Sequence, residues 1–314
     1  TSGDEVAVED ILEVLIRSEK HGALYHIASV EVILPEKRFP FALVSALSSE
    51  AKACLHREFE TLRRLKSDRG GPFLPYVFSK EKVRVGGDHE SETMVMVLQE
   101  WLEDYHEWHL SRDQGGRLST ILWDLNRGYR SLTREETAAL FHQAALILTR
   151  HYDTRTFHRI HPWYHGAGDF VLRIRGGVPE VKLTTVRGYE PLLVFWEERD
   201  ANPWTALVFF FLGLTIRMRI DRLDGVGELV WAEDFVVKAT LTGFFQGLAC
   251  LAKENRFSPG DPADALSLLK TFSGEELLRL AKVLLDHYRV SSPQEYPLIR
   301  TQLESHIRCV RDNI

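Results

Sequence analysis

The stretch YHIASVEVILPEKRFPFALVSALSSEAKACLHREFETLRRL, residues 25–65, decides the fold class of this chain. Its first half holds two runs rich in β-branched and aromatic residues, Tyr25 to Leu34 and Phe39 to Leu47, parted by a short turn that begins at Pro35. These runs predict two strands joined as a hairpin. The second half opens at Ser48-Ser49-Glu50 and then repeats apolar residues at three- and four-residue steps, which predicts a helix: Leu55, Phe59, Leu62 and Leu65.

The segments on either side of this stretch extend the pattern. Upstream, four apolar residues at helical spacing predict a short leading helix over Glu9 to Lys20 that ends at Gly22: Ile11, Leu12, Leu15 and Ile16. Downstream, Pro75 to Val85 and Thr93 to Gln99 are again strand-like and predict a second hairpin.

The rest of the chain has a different character. Beyond Leu102 the pattern is typical of helices, broken by a polar, glycine-containing stretch from Ser111 to Ser131. Further predicted elements are a helix over Glu135 to His151 with a capping box at Thr133, strands at Phe170 to Ile174 and Glu180 to Val186, and a buried core helix over Trp204 to Ile216. We therefore predict an α+β protein with a sheet-rich domain at 1–102, containing one helix, and a helical domain at 103–314.

Composition narrows the classes of function. The net charge of −6 and the absence of a dominant Lys and Arg cluster argue against a nucleic-acid partner. Cys54, Cys250 and Cys309 are widely spaced, which favours a reducing cytoplasm over a disulfide framework. We expect no transmembrane segment and no export signal in the polar first residues.

Two short motifs carry the functional hypothesis. Phe157-His158-Arg159-Ile160 follows the predicted helix that ends at His151, and Val181-Lys182-Leu183-Thr184-Thr185-Val186-Arg187 forms a later strand. Phosphoryl transfer needs a Lys–Glu pair that places the phosphates, a carboxylate that accepts the hydroxyl proton, and carboxylate or amide ligands for Mg²⁺. The loop and the strand are similar to the segments that carry the carboxylate base and the Mg²⁺ ligands in kinases.

On these residues the chain resembles the bacterial lipopolysaccharide core kinases (heptose or Kdo kinases), in the protein-kinase-like and aminoglycoside-phosphotransferase-like superfamily. In that family a His-Arg-Asp loop is followed by a Lys-Leu-Thr-like strand and Ile-Asp. The resemblance covers roughly Tyr25 to Glu190. It implies a two-lobed kinase-like fold, with a small antiparallel-sheet lobe, one helix like helix αC of kinases, and a larger, mostly helical lobe.

The resemblance also implies that catalytic positions have been replaced. In one register the base position is Ile160, the metal-ligand position of the loop is His165, and the second metal-binding Asp is Arg187. In a second register, shifted by an insertion, Asp169 is the metal ligand and Trp163 or Tyr164 takes the base position. The remaining candidate catalytic residues are His158 and Arg159, and the candidate metal ligands are His165 and Asp169.

Glu58 lies on the helix where kinases carry the Glu that pairs with a strand lysine, but Phe41 to Leu47 contains no lysine. Glu58 is therefore a candidate nucleotide-binding residue without the expected partner on that strand, and we hypothesise an ion pair between Glu58 and Arg187 instead.

Three readings follow, which the sequence alone leaves open. The first is a pseudokinase that binds an unidentified protein or an envelope-related ligand, in the cytoplasm or at the periphery of the inner membrane. The second is an unorthodox phosphotransferase on a cell-envelope sugar, using ATP and Mg²⁺, with Asp169 or Asp153 as the carboxylate and His165 aiding the metal. The third is a metal-binding loop built from neighbouring residues: His151, Asp153, His158, His161, His165 and Asp169.

Overall fold

The computed structural model describes residues 7–22, 24–86, 92–113, 115–124, 127–165, 168–191 and 202–314. Helices and antiparallel sheets share the chain, so the predicted α+β class is confirmed. The chain divides into two units, Thr1–Asp104 and Tyr105–Ile314.

The described part of the first unit is a five-stranded antiparallel sheet with one α-helix. The sheet order is β1-β2-β3-β5-β4, and helix α1 (Ser49–Arg69) connects the third and fourth strands along the chain. The side chain of Ser48 caps α1 by accepting a hydrogen bond from the Ala51 backbone. The strands are β1 Glu13–His21, β2 His26–Ile33, β3 Arg38–Ala46, β4 Val77–Val85 and β5 Glu92–Glu100. Both predicted hairpins and the predicted helix are confirmed.

The core of this unit lies between α1 and one face of the sheet. Val44 and Ala46 of β3 lie beside Val95 and Val97 of β5, because those strands pair in register. This face meets the apolar side of α1, which consists of Ala51, Leu55 and Phe59. The three- and four-residue spacing in the sequence is thus the buried stripe of α1.

The predicted leading helix is wrong. Only Val8–Asp10 is helical there, as a 3-10 turn, and the rest of the segment is strand β1, paired with β2. Apolar residues at 11, 12, 15 and 16 fit a helical period, but Leu12, Val14 and Ile16 also alternate with a period of two. Backbone hydrogen bonds to β2 decide between the two periods.

The predicted helical character after Leu102 is wrong at residues 107–110, which are strand, and the predicted break from Ser111 to Ser131 contains most of a small sheet. This region is a three-stranded antiparallel sheet of β6 (Glu107–Arg112), β7 (Leu118–Asp124) and β8 (Gly128–Ser131). The glycine-containing stretch that we read as a break includes a hairpin turn, where the Asp113 carboxylate accepts hydrogen bonds from two backbone N–H groups.

Helices and short strands make up the rest of the second unit. Helix α2 (Arg134–Arg150) begins with the predicted capping box of Thr133 and Glu136. Helix α3 (Pro203–Arg217) is buried from Ala206 to its end, which confirms the predicted core helix. The other elements are β9 His158–Ile160, β10 Phe170–Arg175, β11 Val178–Leu183, β12 Tyr189–Pro191, β13 Ile220–Arg222, β14 Leu229–Trp231, α4 Phe235–Lys253, α5 Pro262–Thr271, α6 Gly274–Ser291 and α7 Tyr296–Asn313.

Helices α2 and α4 cross at close range. A Cβ atom added at Gly243 of α4 would lie 2.1 Å from the carbonyl oxygen of His142 on α2. Only glycine permits this separation of the two backbones. Within the described residues, α4 is also the one helix long and apolar enough to cross a membrane, and 56% of its apolar window is buried inside the protein.

Candidate functional site

The candidate site is built on two short antiparallel pairings in the second unit. Strand β9 pairs with β12, which brings the His158-Arg159-Ile160 motif beside Tyr189 to Pro191. Strands β10 and β11 form the predicted hairpin around Gly176-Gly177. Because this hairpin lies between β9 and β12 along the chain, its two ends return to the same place, and the loop before β10 meets the segment after β11.

Asp169 and Arg187 meet at that place as an ion pair. An Nη atom of Arg187 lies 2.6 Å from Asp169 Oδ1, and Nε lies 3.3 Å from Oδ2. Both carboxylate oxygens are therefore bound by one guanidinium, the strongest geometry for this type of pair. The Asp169 side chain is only 1% exposed, whereas that of Arg187 is 25% exposed.

The surrounding backbone holds Asp169 in position. Its Oδ2 also accepts a hydrogen bond of 2.9 Å from the backbone N–H of Tyr164. The backbone N–H of Thr184, at the end of β11, donates to the Asp169 carbonyl over 2.7 Å. The preceding residue, Gly168, has a φ of +72°, and a Cβ there would lie 2.5 Å from a carboxylate oxygen of Glu107. The positive φ is the stronger reason for glycine at 168, because the Glu107 side chain could move away from a Cβ atom.

The three motif residues on β9 have different environments. Ile160 is buried, and Cα pairing places it opposite Tyr189. His158 is partly buried, and its Nδ1 lies 2.8 Å from the hydroxyl of Thr156. Arg159 is buried, and burial lowers the pKa of its guanidinium. Ile160 is thus a buried hydrocarbon side chain with no proton acceptor.

His165 lies in an aromatic cage rather than in a polar site. Four rings lie with centroids within 6 Å of its own: Trp108, Phe141, Trp163 and Phe170. Burial in this cage lowers the pKa of His165 to about 3, because an apolar environment disfavours the imidazolium. His165 is therefore neutral near pH 7 and packs as a core side chain.

We expect this histidine to make the protein less stable in acid. Its folded pKa is far below the unfolded value of about 6.5, so the unfolded chain binds the proton first and stability falls as pH drops from 6.5 toward 3. At pH 5 the loss from this group is about 2 kcal/mol. Urea denaturation at pH 7 and pH 5 measures the free energy of unfolding. Between these pH values, His165→Phe should lose about 2 kcal/mol less of this free energy than the wild type.

The control is Phe170→Leu, a change in the same cage that does not titrate. It should lower stability by similar amounts at the two pH values. If the wild type and His165→Phe lost equal stability between pH 7 and pH 5, His165 would not be the group that titrates.

The histidines proposed as metal ligands are not brought together. Within the described residues no group of three or more His, Cys, Asp or Glu side chains could hold a metal ion. His151 Nδ1 is 2.7 Å from the carbonyl oxygen of Ile147, and Asp153 accepts hydrogen bonds from the backbone of Arg155 and Thr156. These groups organise the end of α2 and the turn that follows it.

Glu58 lies in the first unit, where it is buried on α1. The lysine that reaches α1 in the described structure comes from another strand: Lys80 of β4 binds Glu60 at 2.7 Å and lies over the Phe59 ring at 4.7 Å. The predicted pairing of Glu58 with Arg187 stays a prediction. In the second unit, Arg187 forms an ion pair with Asp169, a partner that the sequence did not predict.

Sequence reasoning also missed a buried pair behind the loop. Arg217, at the end of α3, forms an ion pair with Glu295, just before α7, and donates a 3.1 Å hydrogen bond to the Trp163 carbonyl. Arg217, directly after a long apolar run, was the available signal, because an arginine at the end of a core helix must find a buried partner. Comparison with known protein families and with characterised proteins finds no match for this chain.

Proposed function

We propose that this chain is a pseudokinase related to the bacterial lipopolysaccharide core kinases, which acts by binding a ligand or a regulatory partner. The ion pair of Asp169 and Arg187 carries the proposal. In the second register, these are the two positions at which the resemblance expects metal ligands. A guanidinium at one position, bound to both oxygens of the other, supplies the positive charge that Mg²⁺ would supply in a phosphotransferase.

The order of elements in the first unit supports a kinase-like scaffold. Kinases carry the phosphate-binding lysine on the third strand and its glutamate on the next helix. Here the third strand, β3, is followed by α1 with Glu58, but β3 contains no lysine. The absence of this lysine favours a binding function over ATP-dependent transfer.

The base position supports the same conclusion. Ile160 cannot accept the proton of a substrate hydroxyl, and its burial on β9 leaves it as packing. In the second register the base position falls to Trp163 or Tyr164, neither of which is a carboxylate. Three replacements thus support the proposal: the missing lysine on β3, the base position without a carboxylate, and Arg187 at a metal-ligand position.

The phosphotransferase alternative requires groups that are engaged elsewhere. Asp169 binds Arg187, the Asp153 carboxylate accepts backbone hydrogen bonds in its turn, and His165 is a neutral ring in an apolar cage. The metal-binding alternative predicts stoichiometric zinc by elemental analysis of the purified protein. We favour neither.

A thermal-shift titration with ATP, with and without Mg²⁺ or Mn²⁺, tests the proposal. For the wild type we expect no stabilisation that depends on the divalent ion, because the guanidinium repels it. The matched variant is Arg187→Asp, which returns a carboxylate to the second metal position. It should be less stable without metal and should gain a Mg²⁺- or Mn²⁺-dependent rise in melting temperature.

Arg187→Ala separates the two effects. It removes the guanidinium without adding a ligand, so it should show a smaller metal response than Arg187→Asp. Metal-dependent nucleotide binding by the wild type, with turnover of ATP, would refute the pseudokinase assignment.

A further inference from the structure

Within the part of the chain that the structure describes, strand β1 is an open edge of the first-unit sheet. It stands first in the strand order and, among the described strands, pairs only with β2. Three apolar side chains in the strand or just before it are exposed: Leu12 at 67%, Val14 at 47% and Ile16 at 64%. An exposed apolar edge strand offers its unpaired backbone groups and its side chains to another strand.

The exposed residues belong to a larger apolar face. Pairing in register places Val14 beside Val32 and Phe39, and Ile16 beside Val30 and Phe41. Helix α1 packs on the other face of the sheet, against Val44 and Ala46. The apolar face opposite α1 therefore extends across the sheet to Val14 and Ile16 on the edge strand.

The charges of β1 lie on the α1 side of the sheet. Glu13 and Arg17 are both exposed, and within the described residues neither has an ion-pair partner. The two charges are four residues apart, with Leu15 midway between them. This spacing makes the strand complementary to itself.

The complementarity appears when two copies of β1 are placed antiparallel about Leu15. Glu13 of each copy then faces Arg17 of the other, so two pairs of opposite charge form by symmetry. Val14 faces Ile16, and Leu12 faces Ser18. Moving the centre to Ile16 would instead place Glu13 opposite Glu19, which sets like charges together. The bulge between Ser18 and Lys20 ends the regular ladder just beyond this pairing.

We propose that two copies of this chain associate through β1 into a continuous ten-stranded sheet, with Leu15 on the two-fold axis. Such an interface is isologous, as in most homodimers. The partner strand is β1 of a second copy, because the register centred on Leu15 pairs Glu13 of each copy with Arg17 of the other. This inference does not depend on the proposed function.

Sedimentation equilibrium of the full chain over a range of concentrations tests the proposal. The wild type should show a monomer–dimer equilibrium. Glu13→Arg and Arg17→Glu should each weaken the dimer about tenfold, since symmetry turns both attractive pairs into repulsive ones. The double variant, with the charges exchanged, should restore the dimer to near the wild-type value.

Mixing the two single variants gives the sharpest result. A heterodimer of the Glu13→Arg and Arg17→Glu proteins again has opposite charges in both pairs, so the mixture should dimerise although each protein alone does so poorly. Arg279→Glu, an exposed change on α6, should leave the dimer constant unchanged. Unchanged melting temperatures would show that the variants remain folded.

A wild-type protein that is monomeric at every concentration would overturn the proposal. So would a dimer that is indifferent to the single substitutions, or a mixture no more dimeric than its components.

Discussion

Replacing Arg187 by methionine is expected to lower the free energy of unfolding by about 3 kcal/mol, the low end of the cost of breaking a buried ion pair. The carboxylate of Asp169 is almost fully buried and loses the guanidinium that binds both of its oxygens. The cost is at the low end because Arg187 is a quarter exposed and is partly screened by water. Urea denaturation of the two proteins measures the difference.

A double-mutant cycle isolates the pair from other effects. Asp169→Asn should also destabilise, and the double variant should cost clearly less than the sum of the two, with a coupling energy of about 2 kcal/mol. Arg173→Met is the control, since Arg173 and Glu180 form a more exposed pair on the same hairpin and should contribute at most about 1 kcal/mol. Additive losses in the cycle would mean that the ion pair contributes nothing specific.

Replacing Glu295 by glutamine is expected to cost about 3–5 kcal/mol, because it leaves the buried guanidinium of Arg217 without its charge partner. Both side chains are at least nine-tenths buried, so water compensates little. Arg217 also binds the carbonyl of Trp163, so the loop that leads to Asp169 should loosen with α7. Denaturation gives the stability loss, and hydrogen exchange at residues 163–165 reports the loop.

The matched control for this prediction is Glu228→Gln. Glu228 forms an ion pair of 3.2 Å with Arg112, but both side chains are about half exposed or more. Its loss should cost less than about 1 kcal/mol. If Glu295→Gln costs no more than this control, then the buried pair is not a structural link between α3 and α7.

Local patterns predicted much of the fold. The two hairpins of the first unit, α1, the capped start of α2 and the buried helix α3 all follow from residues within one or two turns of each other. Such patterns fail where two periods fit the same residues, as in β1. They also fail where polar turn residues separate strands that pair with one another, as in β6 to β8. In both cases the deciding hydrogen bonds come from another strand.

For the candidate site, the sequence by itself determined the residue types: β3 contains no lysine, and the positions that the proposed resemblance assigns to the base and to a metal ligand hold Ile160 and Arg187. The tertiary structure decided which of these groups meet, by placing Arg187 on both oxygens of Asp169 and burying His165 among aromatic rings. The residue types along a chain reveal which protons and charges it can hold. Which charges meet depends on contacts between residues far apart in sequence, and a buried charge must find a partner wherever the fold provides one.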